Sequence, residues 1–295
     1  MGRKVFCLTI AEALERYERE FLAARNLAPR TRGEYLRDLT IFAQFLHEAF
    51  GSASTGDVSR NHLNAYLAHL DNLHLAGTTR RRKVSSLSSL FGFLKSAGYL
   101  TQDPTEQLIP PEREQHRPRV LTEAEYKRLQ LACAHETRDG AIIELILQTG
   151  LRLSEVSRLR VGDVNLPVKI SKDEGGTGAV HVQGKGRKER AVTVNWKAAR
   201  AIKSYLAVRP DGEDDHLFLT KFRRGIGPRA IENVANKYLD DASIHDASVH
   251  TLRHTFATHM VRRGTKLDVV RQALGHTDLK TTSIYVDLAL SANME

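Results

Sequence analysis

Two cysteines in 295 residues, Cys7 and Cys133, are too few to staple a fold. Their scarcity excludes a disulfide framework and suits a reducing, cytoplasmic setting, with each thiol expected to act as a small buried hydrophobe. Long apolar runs are missing too. No stretch approaches the ~18 uninterrupted apolar residues of a membrane span. The opening MGRKVFCLTIAEALERYERE reaches charged residues too early for a secretory leader. There is no internal repeat and no low-complexity tract, so each segment is read on its own terms.

What is present is an ordinary globular composition, 41% hydrophobic and 27% charged, able to bury a real core. The length suits two domains. Lys and Arg number 44 against 35 Asp and Glu, a net charge of +9. That balance favours a polyanionic partner, because cations gain by displacing counterions from phosphates. The excess is spread along the chain. Residues 1–117 hold 16 cations and 13 anions, leaving 28 and 22 for the rest.

The first hundred residues show the 3.6-residue period of amphipathic helices. In TIAEALERYEREFLAARN, Ile10, Leu14, Tyr17, Phe21 and Leu22 share a face. Thr31 to Glu34 has a capping-box pattern ahead of YLRDLTIFAQFLHEAF. NHLNAYLAHLDNLHL and TTRRRKVSSLSSLFGFLKSAG follow. The second of these opens on four cations, Arg80 to Lys83, near a helix N-terminus that would favour a phosphate. Four prolines between Pro104 and Pro118 then read as a linker. Beyond it AIIELILQTG and SEVSRLR are helical, and VGDVNL is strand-like. AVHVQ and RAVTV form a hairpin around GKGRKE, and helices resume to the end. The domains are therefore expected at 1–103 and 119–295, with the linker at 104–118.

The stretch HTLRHTFATH, His250 to His259, concentrates three histidines and an arginine. As a helix it places Val249, Leu252, Phe256 and Met260 on a core stripe, with Arg253 beside it and His250 and His254 a little further round. An arginine at a core edge is costly unless an anion satisfies it. His250 and His254 have zinc-helix spacing, but HExxH lacks its glutamate here, and Arg253 would sit beside a cation. An anion site, a metal site and a plain structural helix thus all remain open on these residues alone. Downstream, Thr265 and Asp268 form a capping-box pattern. Gly275 stops a helix, His276 lies in the turn, and Thr277 or Asp278 can cap a last helix carrying Tyr285. Upstream, TGLRLSEV presents Arg152 with Glu155 three residues on, and GKGRK places Lys185 in the hairpin turn.

Arg152, Lys185, His250, Arg253, His276 and Tyr285, in that order and those contexts, resemble the tyrosine recombinase (phage integrase) family. TGLRLSE is similar to its first arginine box, GKG to its hairpin lysine and HTLRHTFATH to its His-x-x-Arg box. LGHTDLKTTSIY is similar to the box that carries the last histidine and the nucleophile, Tyr285 standing nine positions after His276. YLRDLTIFAQFL and TTRRRKVSSLSSLFGFL resemble the helical core-binding domain of Xer-like members. The resemblance implies a mainly α, two-domain chain, with an all-helical SAM-like core-binding domain and an α-rich catalytic domain holding a small antiparallel sheet.

It also implies site-specific recombination through a 3′-phosphotyrosyl intermediate, with no metal and no other cofactor. Arg152, Arg253 and His276 would grip the phosphate, Lys185 would protonate the leaving 5′ oxygen, and His250 would be base or orienter for Tyr285. Double-stranded DNA with inverted half-sites would be bound by four protomers, identical or paired with a related recombinase, in the cytoplasm and without a membrane. Arg80, Arg82, Lys83, Arg187 and Arg229 are the expected DNA contacts, on charge and placement. A type IB topoisomerase uses a similar kit, but the Xer-like N-terminal runs and the second-histidine box argue against it. A non-cutting DNA binder would not need all six residues, and no acidic cluster supports a metal-dependent nuclease. The pattern departs from Xer in its tail, since only ten residues follow Tyr285.

Overall fold

Thr9 starts the first helix by exchange. Its side chain accepts from the Glu12 N–H at 3.2 Å, and the Glu12 carboxylate accepts from the Thr9 N–H at 2.9 Å. This computed structural model describes residues 8–25, 27–51, 54–112, 117–170, 177–184, 189–276 and 280–291. Helix α1 (Ile10–Arg16) widens into a π-type turn over Tyr17–Leu22, which buries Tyr17 and Leu22 together. Helix α2 (Pro29–Phe50) begins at Pro29, not at the Thr31 capping pattern. Proline at the first position supplies a fixed φ and lacks only an N–H that would be unpaired anyway, so it outcompetes the box two residues later. Helices α3 (Arg60–Asn72) and α4 (Gly77–Ser96) complete the bundle. Leu39, Phe42, Leu46, Leu63, Tyr66, Leu87 and Phe91 fill its core.

The chain divides into two compact units, residues Met1–His116 and Arg117–Glu295. The segment expected as a linker is in part built into the first. Thr105 and Leu108 are buried, Leu108 joins the core, and the Arg81 guanidinium donates to the Pro111 carbonyl at 2.9 Å. Proline forbids a helix there, but it does not forbid packing.

In the second unit Thr122 and Glu125 cap α5 (Glu123–Cys133) by the same exchange as Thr9 and Glu12. Helix α6 (Thr137–Thr149) is the central post, packed by α5, by the strand Glu189–Val194 and by the helices Trp196–Leu206, Pro228–Asp241 and Val249–Arg262. Ile142, Ile143, Leu145, Ile146 and Leu147 are all buried, so it is apolar nearly all round. Short α7 (Leu153–Arg158) follows directly. VGDVNL folds as a 3₁₀ turn and the two-residue strand β1 (Val164–Asn165) rather than a full strand. Strands β2 (Gly178–Gln183) and β3 (Glu189–Val194) pair antiparallel, Val180 opposite Val192 and Val182 opposite Arg190, in the sheet order β1-β2-β3. Helices α8 (Trp196–Leu206), α9 (Pro228–Asp241), α10 (Val249–Arg262), α11 (Leu267–Leu274) and α12 (Lys280–Ser291) follow. Cys133 is a buried free thiol whose pKa burial pushes up to about 11; Cys7 lies outside the described residues. Among the described residues no helix is long and apolar enough to cross a membrane.

Candidate active site

The site begins where α6 ends. Gly150 takes φ 62° and closes α6 through its N–H to Ile146. A side chain there would lie 2.5 Å from Phe256 Cδ1, so both the backbone and the neighbour require glycine. Two residues on, Arg152 is the N-cap of α7, and its own N–H donates to Glu155 Oε2 at 2.9 Å. The second glycine stop is Gly275 after α11, at φ 63°. Its added Cβ would stand 2.9 Å from the Arg190 guanidinium. Thr265 does not cap α11; Lys266 occupies that position, and no side chain bonds there.

Three arginines from distant elements converge on the last carbonyls of α11. Arg190 Nε donates to the Ala273 oxygen at 3.3 Å, Arg253 Nη2 to Leu274 at 2.7 Å, and Arg152 Nη2 to Gly275 at 2.9 Å. A helix C-terminus leaves these carbonyls unpaired and carries partial negative charge, so cations are favoured there. Arg253 also donates to the Gly150 oxygen at the end of α6. Arg253 is 7% exposed, and burial together with the Arg152 charge pushes its pKa down to about 10, leaving it a cation at neutral pH.

Glu155 is the counter-ion. It accepts from Arg152 Nη1 at 3.0 Å and takes a two-pronged bond from Arg190 at 3.0 and 3.1 Å. Burial works to raise its pKa, but the hydrogen bonds and charges of Arg190 and Arg152 outweigh that and hold it below the usual range. Three guanidinium groups against one carboxylate leave the cluster two positive charges in excess.

Tyr285 is placed by apolar packing. With Ala257, Val270 and Leu274 it forms a small core between α10, α11 and α12, and it is 1% exposed. Its hydroxyl lies 3.0 Å from His254 Nδ1, and its ring stacks on His276 with centroids 6.3 Å apart. Burial raises the phenol pKa, and Arg253 and Arg152 pull it back. His276 Nδ1 is held by Thr282 Oγ1 at 3.0 Å. Burial, then the Arg253 and Arg152 charges, push His276 down to about 4; burial, then His250 and Arg253, do the same for His254. Both imidazoles are thus neutral at pH 7, each with one ring nitrogen able to accept.

The structure brings together Arg152, Arg253, His276 and Tyr285 among the expected residues. His250 is exposed in the first turn of α10, and the phenol contact expected of it is made instead by His254, one turn along. Lys185 and Arg187 lie outside the described residues. Lys83 departs from expectation: it is 6% exposed and donates to buried Asp38 at 3.0 Å. An ammonium desolvated inside its own domain is held by that carboxylate, so Lys83 does not present itself to a phosphate. Arg82 bonds the same carboxylate, Arg80 pairs with Asp71, and Arg229 pairs with Glu232 at 3.0 Å.

Arg190 belongs to none of the sequence boxes, but strand alternation marks it. Arg190, Val192 and Val194 share the inward face of β3, and a charge on that face needs a partner. A groove of about 1060 Å³ lined by Tyr126, Trp196, Phe256 and Met260 contains none of Arg152, His250, Arg253, His276 or Tyr285. Arg190 lines that groove as well as the cluster, while Arg152, 38% exposed, stands outside it.

Comparison with known proteins identifies the family. The phage integrase family matches residues 119–291, and its N-terminal SAM-like domain matches residues 14–98. The tyrosine recombinase XerC of Pelobacter propionicus is 33% identical over 293 residues, covering 97% of this chain and 94% of that protein. XerA recombinase aligns over 96% of both chains at 26% identity with a TM-score of 0.52. XerH recombinase, solved on palindromic difH DNA after cleavage, shares the fold at a TM-score of 0.77 and 21% identity, over 94% of this chain and 81% of that one. The chain belongs to the phage integrase family of tyrosine recombinases, enzymes that cleave and rejoin DNA strands.

Proposed function

We propose that the chain is a site-specific DNA recombinase in which Tyr285 attacks a phosphodiester of duplex DNA to form a 3′-phosphotyrosyl link. The observation that carries this reading is a buried Tyr285 phenol lying in the field of Arg253 and Arg152, members of a cluster with two positive charges in excess. A phenolate attacking a phosphodiester brings two negative charges into one five-coordinate phosphorus. Arg152 and Arg253 match that charge, and His276 adds a hydrogen bond that strengthens as it develops. The new bond joins Tyr285 Oη to phosphorus, and the bond to the 5′ oxygen breaks. Lys185 is assigned the proton for that oxygen.

His254 orients the phenol. As neutral imidazoles of low basicity, His254 and His276 gain proton affinity once a phosphate anion enters, which readies His254 to accept the phenol proton. His250, exposed in the first turn of α10, is assigned a contact with the DNA backbone. One phosphodiester is exchanged for another, so ATP and a divalent ion are not needed. A 5′ hydroxyl from a second duplex then reverses the step and joins new partners. The reading extends to double-stranded DNA with inverted half-sites, two protomers per site and four per synapse, acting in the cytoplasm. Arg82 and Arg229 are exposed and Arg80 partly so, and each is assigned a backbone contact made by exchanging its carboxylate partner for a phosphate.

The test is covalent capture. Cells expressing the protein are lysed in strong detergent, the protein is recovered, and attached DNA is sequenced, with Tyr285→Phe alongside. Adducts concentrated at a few inverted repeats, lost in Tyr285→Phe while DNA binding persists, are the expected result. An adduct that survives the substitution would remove Tyr285 as the nucleophile, and adducts scattered across the genome would point to a swivelling topoisomerase.

A further inference from the structure

We propose that Arg190 is a positioning residue of the cleavage site, acting through Glu155 on Arg152; the proposal rests on the recombinase reading above. Three observations carry it. Arg190 is mostly buried, its side chain 18% exposed, and its Nε, Nη1 and Nη2 are all engaged: Nε on the Ala273 carbonyl, Nη1 and Nη2 on the two oxygens of Glu155. Three of its five N–H groups are committed inside the protein, and its side chain is less than half as exposed as that of Arg152, 18% against 38%. Glu155 in turn fixes Arg152 at two points, the backbone N–H at 2.9 Å and the guanidinium at 3.0 Å. Gly275 closes the frame, since a Cβ there would meet Arg190 at 2.9 Å and Arg152 Nη1 at 3.3 Å.

The physical logic is one of rotamers and charge. A carboxylate accepts at two oxygens, and either can swing about the last torsion of the glutamate. The two-pronged bond from Arg190 stops that rotation, leaving Oε1 aimed at the Arg152 fork and Oε2 at its backbone. Arg190 itself is anchored twice, by the β2–β3 ladder, where it stands opposite Val182, and by the end of α11. It therefore ties the sheet, the start of α7 and the turn before His276 into one rigid frame. Without it Glu155 retains a single cationic partner, and the Arg152 fork can follow it out of register. A misplacement of about 1 Å at a phosphate-gripping group costs on the order of 100-fold in rate.

The experiment compares wild type with Arg190→Lys, Arg190→Met, Glu155→Gln and the double variant Arg190→Met/Glu155→Gln. Adduct formation is followed in a single turnover on the duplex recovered by covalent capture, with DNA affinity measured separately. Thermal melting of each variant identifies any that fail to fold, and Arg190→Lys, which keeps the charge but not the fork, carries the comparison if Arg190→Met does. The expected result is cleavage slowed about 100-fold in Arg190→Met and about 10-fold in Arg190→Lys, with DNA affinity unchanged within about twofold. In the Glu155→Gln background, Arg190→Met should add nothing, because both act through one contact.

A duplex whose scissile linkage is an uncharged methylphosphonate should shrink the Arg190→Met effect, since less charge then has to be met. Wild-type cleavage rates in Arg190→Met would overturn the inference alone. A further loss in the Glu155→Gln background would also overturn it, by showing that Arg190 acts directly. No adduct from the wild-type chain on any DNA would overturn the recombinase reading and this inference together.

Discussion

Each unit of the molecule holds a buried carboxylate bonded to two cations, and these two carboxylates are used differently. In the N-terminal bundle Asp38 is 2% exposed and holds Arg82, Lys83 and Ser86, tying α2 to α4. Lys83 is buried with it, and Arg82 also reaches Glu34 at 3.6 Å, so charge is nearly balanced and the cluster acts as a tether. In the catalytic unit Glu155 is as deeply buried, but it meets Arg152 and Arg190, while Arg253 stands close by with no carboxylate of its own among the described residues. The carbonyls ending α6 and α11 hold the third arginine instead. Partial charges of a helix end fix a guanidinium in place without cancelling its charge, as a second carboxylate would. That difference turns the same device into a site with positive charge to offer.

Removing each carboxylate is the strongest way to separate the two roles. Asp38→Ala and Glu155→Ala should both destabilise their units by about 3 kcal/mol, because each strips the counter-ion from a buried cation. Urea unfolding of the full chain reads both, and Trp196, the single tryptophan, reports the catalytic unit by fluorescence. Glu155→Ala should also slow cleavage at saturating DNA by 100-fold or more. Asp38→Ala should act on DNA affinity and stability instead. Equal cleavage defects in the two would erase the distinction.

Helix-stopping glycines give a smaller contrast. Gly51 ends α2 at φ 62° with no heavy atom of another element within 4 Å of an added Cβ, so Gly51→Ala should cost about 1 kcal/mol from the backbone alone. Gly275→Ala bears the same backbone cost and drives a methyl against Arg190 and Arg152. It should therefore destabilise more than Gly51→Ala and reduce cleavage as well. Matching melting shifts would mean that the arginine frame gives way freely.

A gentler contrast lies in pH. His254 and His276 are held near 4 in the folded protein against an ordinary 6.5, so below 6.5 the unfolded chain takes up their protons first. Their contribution to stability is complete above 6.5 and is lost as pH falls toward 4. Fluorescence-detected unfolding should show the catalytic unit weakening across that window, less so in His276→Gln. A flat profile would show the pocket open to water.

The chain's helical periods and its Gly-containing hairpin were legible because both depend on neighbours in sequence, and so were the boxes around Arg152, Arg253, His276 and Tyr285. Reading failed where a local signal met a stronger competitor, as at Thr31, where Pro29 had already begun the helix. It failed again where solvent exposure was assumed, since nothing in TTRRRKVSS says that Lys83 turns inward to Asp38. His254 shows the same limit: its place on the phenol depends on α12 crossing α10, a contact between residues 31 positions apart.

The sequence by itself determined the helical and strand periods, which depend on short-range spacing, and the likeness of its boxes to a known family pointed to the family the chain belongs to. Only the tertiary structure decided which histidine meets Tyr285, that Arg190 joins Arg152 on Glu155, and that the arginines end on the carbonyls of α6 and α11. Those pairings span up to 123 residues. They are set by how packing brings distant helix ends together, which no local pattern encodes.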